Sequence, residues 1–122
     1  PIAYGLSFPE RIESGAPRLD FLQQPPLHFE TPDPRRFPGL QLAWDALRGP
    51  EGSTTVLNAA NEVAVAAFLD GTIGFTAIHT LNARTIERLE PRLSPNHSLE
   101  DLIELDTRAR AMAHELMREL AA

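Results

Sequence analysis

The stretch Val56-Leu57-Asn58-Ala59-Ala60-Asn61-Glu62-Val63 decides the fold, because it predicts a helix that lies close to a neighbour. Alanine combines the highest helix propensity with a very small side chain, so adjacent alanines favour a tightly packed helix face. Asn58 suits the N-cap of this helix, and the negative charge of Glu62 suits the N-terminal end, where the helix dipole is positive. We predict a structural role, in helix capping and interdomain packing, for Asn58, Asn61 and Glu62. The alternative is a functional set that lines a site or contacts another domain.

The apolar residues follow a helical period from Pro38 onward. Proline suits the first position of a helix, where its missing N–H leaves no bond unmade. Leu40, Ala43, Trp44 and Leu47 then recur at the spacing of one helix face. This pattern predicts a first amphipathic helix that ends at the glycine and proline of positions 49–50.

Two further helices are expected in the middle of the chain. One runs from about Asn58, or already from Thr55, to Leu69, and it is followed by a glycine-containing break. Thr76 is the expected N-cap of the next helix. A further prediction is an aromatic core or, as the alternative, an aromatic binding platform formed by Trp44, Phe68 and Phe75.

The last helical stretch is expected to begin at a capping arrangement of Ser98 and Asp101. Asp106 is read as the cap of a fresh start after a break in this stretch. Four amphipathic helices joined by short loops favour an antiparallel four-helix bundle, which we assign to residues 38–122. The fold class is therefore mainly α.

Residues 1–37 differ in composition from the helical region that follows, because eight of the eleven prolines lie in residues 1–38. Proline lacks the amide donor and restricts the residue before it, so we predict a Pro-rich extended linker. A helical turn is expected at residues 2–6, and alternating residues predict one short strand at Leu27–Phe29. That strand has no candidate partner within the chain, so it is expected to join a sheet formed by other sequence or another subunit.

Composition excludes several classes of function. The chain has no cysteine, a net charge of −6, and only arginine among its eleven basic residues. Thiolate sites and lysine-dependent chemistry are thereby excluded, and nucleic-acid or anionic-membrane binding is disfavoured. No apolar run reaches the length of a membrane span. The absence of cysteine favours a reducing compartment.

The sequence carries no recognisable catalytic, cofactor-binding or metal motif. His114-Glu115 begins like a zinc-protease helix, but Arg118 stands where the second ligand belongs. The acidic residues within positions 100–106 suit a helix start on a solvated face, and an oxygen-ligand metal site is the alternative. We therefore assign no catalytic, cofactor or metal residue.

The chain resembles one enzyme family along its whole length. The resemblance rests on Pro1-Ile2-Ala3, Phe8-Pro9-Glu10-Arg11, Leu19-Asp20-Phe21 and the run Asn58–Glu62. These segments are similar to the C-terminal third of the 1-deoxy-D-xylulose 5-phosphate reductoisomerases of non-mevalonate isoprenoid biosynthesis. The resemblance divides the chain into residues 1–37, the tail of a catalytic domain with its linker, and the helical domain 38–122.

The resemblance implies a parent enzyme with more parts than this chain. Such enzymes are bacterial, cytoplasmic homodimers that use NADPH and a divalent cation (Mg²⁺, Mn²⁺ or Co²⁺) to form 2-C-methyl-D-erythritol 4-phosphate. Their NADPH-binding and catalytic domains precede the helical domain, and those domains are the implied partners of this chain. We therefore expect this chain alone to be an inactive buttress. The alternatives are an independent helical protein-interaction module and a metal-binding domain built on residues 100–106.

Overall fold

The computed structural model describes residues 2–121, and the side chains of residues 2–120. It contains five helices: α1 (Ile2–Ser7), α2 (Pro38–Arg48), α3 (Ser53–Leu69), α4 (Phe75–Leu89) and α5 (Leu99–Ala121). The mainly-α prediction is confirmed. The chain divides into two compact units, residues 1–31 and 32–122.

The first unit contains α1 and an extended segment, and none of its described residues is buried. The predicted helical turn at residues 2–6 is present as α1. Ten large apolar side chains between residues 2 and 29 are exposed, among them Leu22 and Phe29 at 93% and 88%. The short strand predicted at Leu27–Phe29 is wrong, since the described part of the chain holds no strand. A strand needs a neighbour for its backbone hydrogen bonds, and this unit offers none.

The second unit is built on α3, α4 and α5. Phe68 and Phe75 meet edge to face at 5.6 Å, and Asn82 lies 3.0 Å from Asn61, so α3 and α4 run antiparallel. Val56 and Ala59 pack with Leu105 and Ala109, whereas Ala64 and Ala67 pack with Leu116. Helix α5 therefore runs parallel to α3, as an up-down-up arrangement requires.

An alanine seam joins α3 and α5, and its members are Ala59, Ala60, Ala109 and Ala113. All four are fully buried. Side chains of this size let two helix backbones approach closely, as the alanine-rich stretch predicted. Larger side chains close the core at both ends of the seam, with Leu105 at one end and Leu116 at the other.

Helix α2 packs on α3 and α4. It begins at Pro38, as predicted, but only Ala46 is buried. Leu40, Trp44 and Leu47 were expected to face the core, yet they are 52%, 46% and 63% exposed. The predicted aromatic core is also wrong in two members, because Trp44 stacks on the guanidinium of Arg48 instead and Phe75 is 72% exposed.

The turn between α2 and α3 is fixed by Gly52, which is buried and has a φ of 93°. This left-handed conformation costs an L-residue free energy, but glycine adopts it readily. The N–H of Leu93 donates to the carbonyl oxygen of Glu51 at 3.1 Å, so the loop after α4 is tied to this turn. Helix α3 consequently begins at Ser53, five residues before Asn58.

Helix α5 is continuous from Leu99 to Ala121, so the break predicted at Asp106 is wrong. Its start is confirmed as predicted. The backbone N–H of Asp101 donates to Ser98 Oγ at 3.2 Å, and the N–H of Ser98 donates to Asp101 Oδ2 at 2.8 Å. This reciprocal capping satisfies amides that the helix leaves free. In contrast, Thr76 does not cap α4, whose N-cap is Gly74.

Candidate functional site

The three residues singled out in the sequence, Asn58, Asn61 and Glu62, lie together on α3, but none of them caps it. The N-cap position is Gly52, and Asn58 lies in the second turn. The capping role is therefore wrong. Its physical reason is that Gly52, with its left-handed φ, starts the helix six residues earlier than a cap at Asn58 would.

The same residues instead connect α3 to both neighbouring helices. Asn82 Nδ2 of α4 donates to Asn61 Oδ1 at 3.0 Å. Arg110 Nη2 of α5 donates to Glu62 Oε2 at 2.8 Å, and Asn58 Nδ2 donates to Glu62 Oε1 at 3.1 Å. One turn of α3 thus supplies polar ties to α4 and α5 beside the apolar core.

Arg110 is the centre of a charge network that joins α5 to α3. Its Nε donates to Asp106 Oδ2 at 2.7 Å while its Nη2 reaches Glu62. The bond from Arg110, with help from Asn58, holds the pKa of the Glu62 carboxyl below its ordinary value of 4.5. The two carboxylates in turn raise the pKa of Arg110, with Asp106 the larger cause. These side chains are partly solvated, so the network orients α5 more than it stabilises the fold.

A groove lies between α2 and the α3–α4 pair, and we call it the α2–α4 groove. Its cavity volume is about 870 Å³. The apolar walls come from all three helices: Leu40, Leu42 and Ala43 of α2, Leu57 of α3, and Phe75 and Ile78 of α4. Asn58, Asn61, His79 and Asn82 supply polar groups, and Arg35 and Arg36 lie at the end nearest the start of α2.

The segment that places the two arginines is ordered by Asp33. Asp33 Oδ1 accepts hydrogen bonds from the N–H groups of Arg35 at 2.8 Å and Arg36 at 3.4 Å. The carbonyl oxygen of Asp33 accepts the N–H of Phe37 at 2.9 Å. This turn ends at Pro38, whose fixed φ starts α2. The backbone therefore delivers Arg35 and Arg36 to the mouth of the groove.

Two polar atoms in the groove lining lack a partner. Asn82 is 6% exposed, and its Oδ1 accepts no hydrogen bond from the described residues. His79 Nδ1 is likewise buried without a partner there. Sequence reasoning missed both residues, and it missed Arg110, because a lone His, Asn or Arg on an amphipathic helix carries no distinguishing pattern.

The described residues contain no cluster of three or more His, Asp or Glu side chains placed to hold a metal ion. The acidic group at 100–106 is dispersed, because Asp101 caps α5 and Asp106 pairs with Arg110. None of the helices described combines the length and apolar content that a bilayer-spanning helix needs. The geometry on this chain is thus that of helix ties and an open groove.

The comparison with known families agrees with this geometry. The family described as DXP reductoisomerase C-terminal domain matches residues 1–112. The chain belongs to this family.

Curated relatives carry the same name along nearly the whole chain. The 1-deoxy-D-xylulose 5-phosphate reductoisomerase of Acidithiobacillus ferrooxidans is 48% identical over 121 residues, which are 99% of this chain and 30% of the relative. That of Bordetella petrii is 50% identical over 117 residues, with 95% and 29% covered. This chain therefore spans about a third of the length of the relatives it matches.

Solved structures show the same correspondence. The Zymomonas mobilis reductoisomerase in complex with NADPH matches with a TM-score of 0.78 and 42% identity, over 95% of this chain and 30% of that one. A reductoisomerase solved with fosmidomycin and magnesium matches with a TM-score of 0.81 and 35% identity, over 98% and 32%. The DXP reductoisomerase C-terminal domain family thus shares this fold as well as this sequence.

Proposed function

We propose that this chain is the C-terminal structural part of an NADPH-dependent, metal-requiring reductoisomerase. The whole enzyme converts 1-deoxy-D-xylulose 5-phosphate to 2-C-methyl-D-erythritol 4-phosphate in non-mevalonate isoprenoid biosynthesis. The observation that carries the proposal is the family match over residues 1–112, supported by relatives of that name near 50% identity. Solved relatives are described with NADPH and with magnesium, which supports those two groups as the cofactors of the whole enzyme.

The residues of this chain do not fit either group. A nicotinamide dinucleotide is held where a glycine-rich turn joins a strand to a helix, and the described residues form no strand. A catalytic divalent cation needs clustered oxygen or nitrogen ligands, and no such cluster lies within residues 2–120. Both groups therefore belong to the domains that precede this region in the whole enzyme.

The role proposed for this chain is to buttress those domains. Residues 1–37 are the tail of the catalytic domain and the linker, and residues 38–122 are the helical domain. The ten exposed apolar side chains in residues 2–29 support this division, because an extended segment of that composition is stable only against other protein. The interdomain packing role proposed for Asn58, Asn61 and Glu62 is supported by their exposure on α3, and Asn58 and Asn61 also line the groove.

Turnover by the full-length polypeptide tests the proposal. We expect NADPH oxidation that requires both 1-deoxy-D-xylulose 5-phosphate and a divalent cation, and none from the 122-residue chain. No NADPH consumption by the full-length polypeptide, with folded protein shown by circular dichroism, would contradict the function. Turnover by the 122-residue chain would contradict the buttress role.

Two parts of the proposal concern the assembly and its location. The whole enzyme is a homodimer in the bacterial cytoplasm, without nucleic-acid or membrane partners. The net charge of −6 in this chain disfavours nucleic-acid and anionic-membrane partners, and its absence of cysteine favours a reducing compartment. The dimer is proposed from the family resemblance alone. Sedimentation equilibrium of the full-length polypeptide tests the dimer, and a monomer at micromolar concentration would contradict it.

A further inference from the structure

The α2–α4 groove is lined mainly by apolar side chains. Phe75, at 72% exposure, and Leu40, at 52%, stand on opposite walls of the groove. On α2 the apolar surface continues around the helix to Trp44 and Leu47, which are also exposed. An amphipathic helix that buries one alanine and exposes its large side chains is incomplete by itself.

The polar part of the groove points to a peptide-like occupant. Asn82 is more than nine-tenths buried, and its Nδ2 is engaged by Asn61 while its Oδ1 has no donor in the described chain. His79 Nδ1, one turn away on the same helix, also lacks a partner. Buried polar groups without a partner are rare in folded proteins. Backbone N–H groups of an entering segment would supply the missing donor.

The charge of the groove lining predicts the sign of the charge that its occupant carries. Its lining includes Arg35, Arg36 and His79 but no Asp or Glu, whereas the chain as a whole has a net charge of −6. Neither arginine has a carboxylate within ion-pair distance in the described structure. The groove is therefore complementary to an apolar segment that carries an acidic side chain.

We propose that the α2–α4 groove is the docking site for an upstream segment of the same polypeptide, which presents apolar side chains, an acidic group and free N–H donors. This inference rests on the proposed function and names the surface through which the buttress acts. Curated relatives are about three times as long as this chain, which covers 30% of them as their C-terminal domain. A polypeptide of that length has ample protein tethered to residue 1 to fill the groove at high effective concentration.

The absence of cysteine in this chain allows a clean accessibility test in the full-length polypeptide. Phe75→Cys and Leu40→Cys place thiols on the two groove walls, and Glu104→Cys places a control thiol on the exposed face of α5. Each variant is labelled with a maleimide in native buffer and in urea, and the modified peptide is quantified by mass spectrometry. The ratio of the two rates gives the native protection at each position.

We expect at least about tenfold protection at positions 75 and 40 and less than about twofold at 104. Equal rates at all three positions would show an open groove and overturn the proposal. A photo-crosslinker at position 75 then identifies the occupant in a mixture of isotopically light and heavy subunits. A crosslink to an upstream peptide of the same subunit is expected; a crosslink to a second copy, or protection that appears only with added substrate or NADPH, would refute it.

The docking and the proposed function can fail separately. Substrate-dependent NADPH oxidation with unprotected thiols at 75 and 40 would leave the reductoisomerase assignment intact and remove the docking site. Protected thiols at 75 and 40 in a folded polypeptide without turnover would support the docking site and contradict the reductoisomerase assignment.

Discussion

Replacement of Gly52 by alanine tests how the turn before α3 holds the bundle together. Gly52 is buried and left-handed, with a φ of 93°. A Cβ added there would lie 2.5 Å from Leu105 Cδ2 and 3.2 Å from Leu93 Cγ. Leu105 is itself only 4% exposed and packs against Val56 and Ala59, so it cannot turn away freely.

The expected cost of Gly52→Ala has two parts. A left-handed conformation costs an L-residue about 1–2 kcal/mol relative to glycine. Insertion of a methyl group into a packed site costs about 1–3 kcal/mol more. We therefore expect Gly52→Ala to lower the free energy of unfolding by about 2–5 kcal/mol, which is a large share of the stability of a small domain.

Gly71→Ala is the matched control. Gly71 also has a left-handed φ, of 74°, but no atom lies within 4 Å of its added Cβ. Gly71→Ala should therefore lower the free energy of unfolding by the conformational part alone, about 1–2 kcal/mol. Urea denaturation of the 122-residue chain, followed by helical circular dichroism at a common slope, gives both free energies.

The larger share of the packing part can be removed independently. Leu105→Val deletes the δ-methyl group that lies 2.5 Å from the new Cβ but leaves Leu93 Cγ at 3.2 Å. Gly52→Ala in that background should therefore cost less than in the unchanged chain, though still more than Gly71→Ala. Equal costs for Gly52→Ala and Gly71→Ala in the otherwise unchanged chain would refute the reasoning, because the contact with Leu105 would then contribute nothing.

Three further predictions concern the other features of the bundle. Ser98→Ala should lower the free energy of unfolding by about 1 kcal/mol, because it removes the cap of α5; an unchanged urea midpoint would contradict this. Leu116→Ala should cost about 2–5 kcal/mol, since this side chain is 1% exposed at the end of the α3–α5 core; a cost below about 1 kcal/mol would show a loosely packed site. The pKa of Glu62 is lowered by Arg110, and that of Asp101 by hydrogen bonds from Ser98. These two carboxylates therefore contribute their full share to the free energy of unfolding above their ordinary pKa values, 4.5 and 3.8. That contribution is lost as the pH falls through their lower pKa values in the folded state. Urea midpoints measured from pH 6 to pH 2 (roughly the range in which carboxyls titrate) should fall less steeply in the Glu62→Gln, Asp101→Asn double variant; parallel curves would contradict the assignment.

The sequence predicted best where the signal is local. Pro38 at the start of α2, the glycine break at 71, and the Ser98–Asp101 cap were all expected, because each depends on the backbone preferences of a few residues. The mainly-α class followed from the helical period. The alanine-rich stretch also predicted the close approach of α3 to a neighbour.

The errors arose where a residue has more than one good use. Asn58 and Asp106 are both good caps, but in this fold they serve as side-chain partners inside continuous helices. Trp44 was assigned to the core by its spacing, yet periodicity shows that a face is apolar without showing what covers it. The groove and its unpartnered Asn82 depend on contacts between residues distant in sequence, which no single-chain pattern encodes.

The alanine seam has a mechanical consequence. Alanine has no side-chain rotamers to lose, so the seam locks no torsions when it forms. It also leaves one acceptable register: a slide of α5 by one turn, about 5.4 Å, would bring Leu105 or Leu116 into a gap sized for a methyl group. The two helices can therefore neither slide nor rotate past each other by small steps. A force applied to one end of α3 or α5 moves the two helices together as one rigid body.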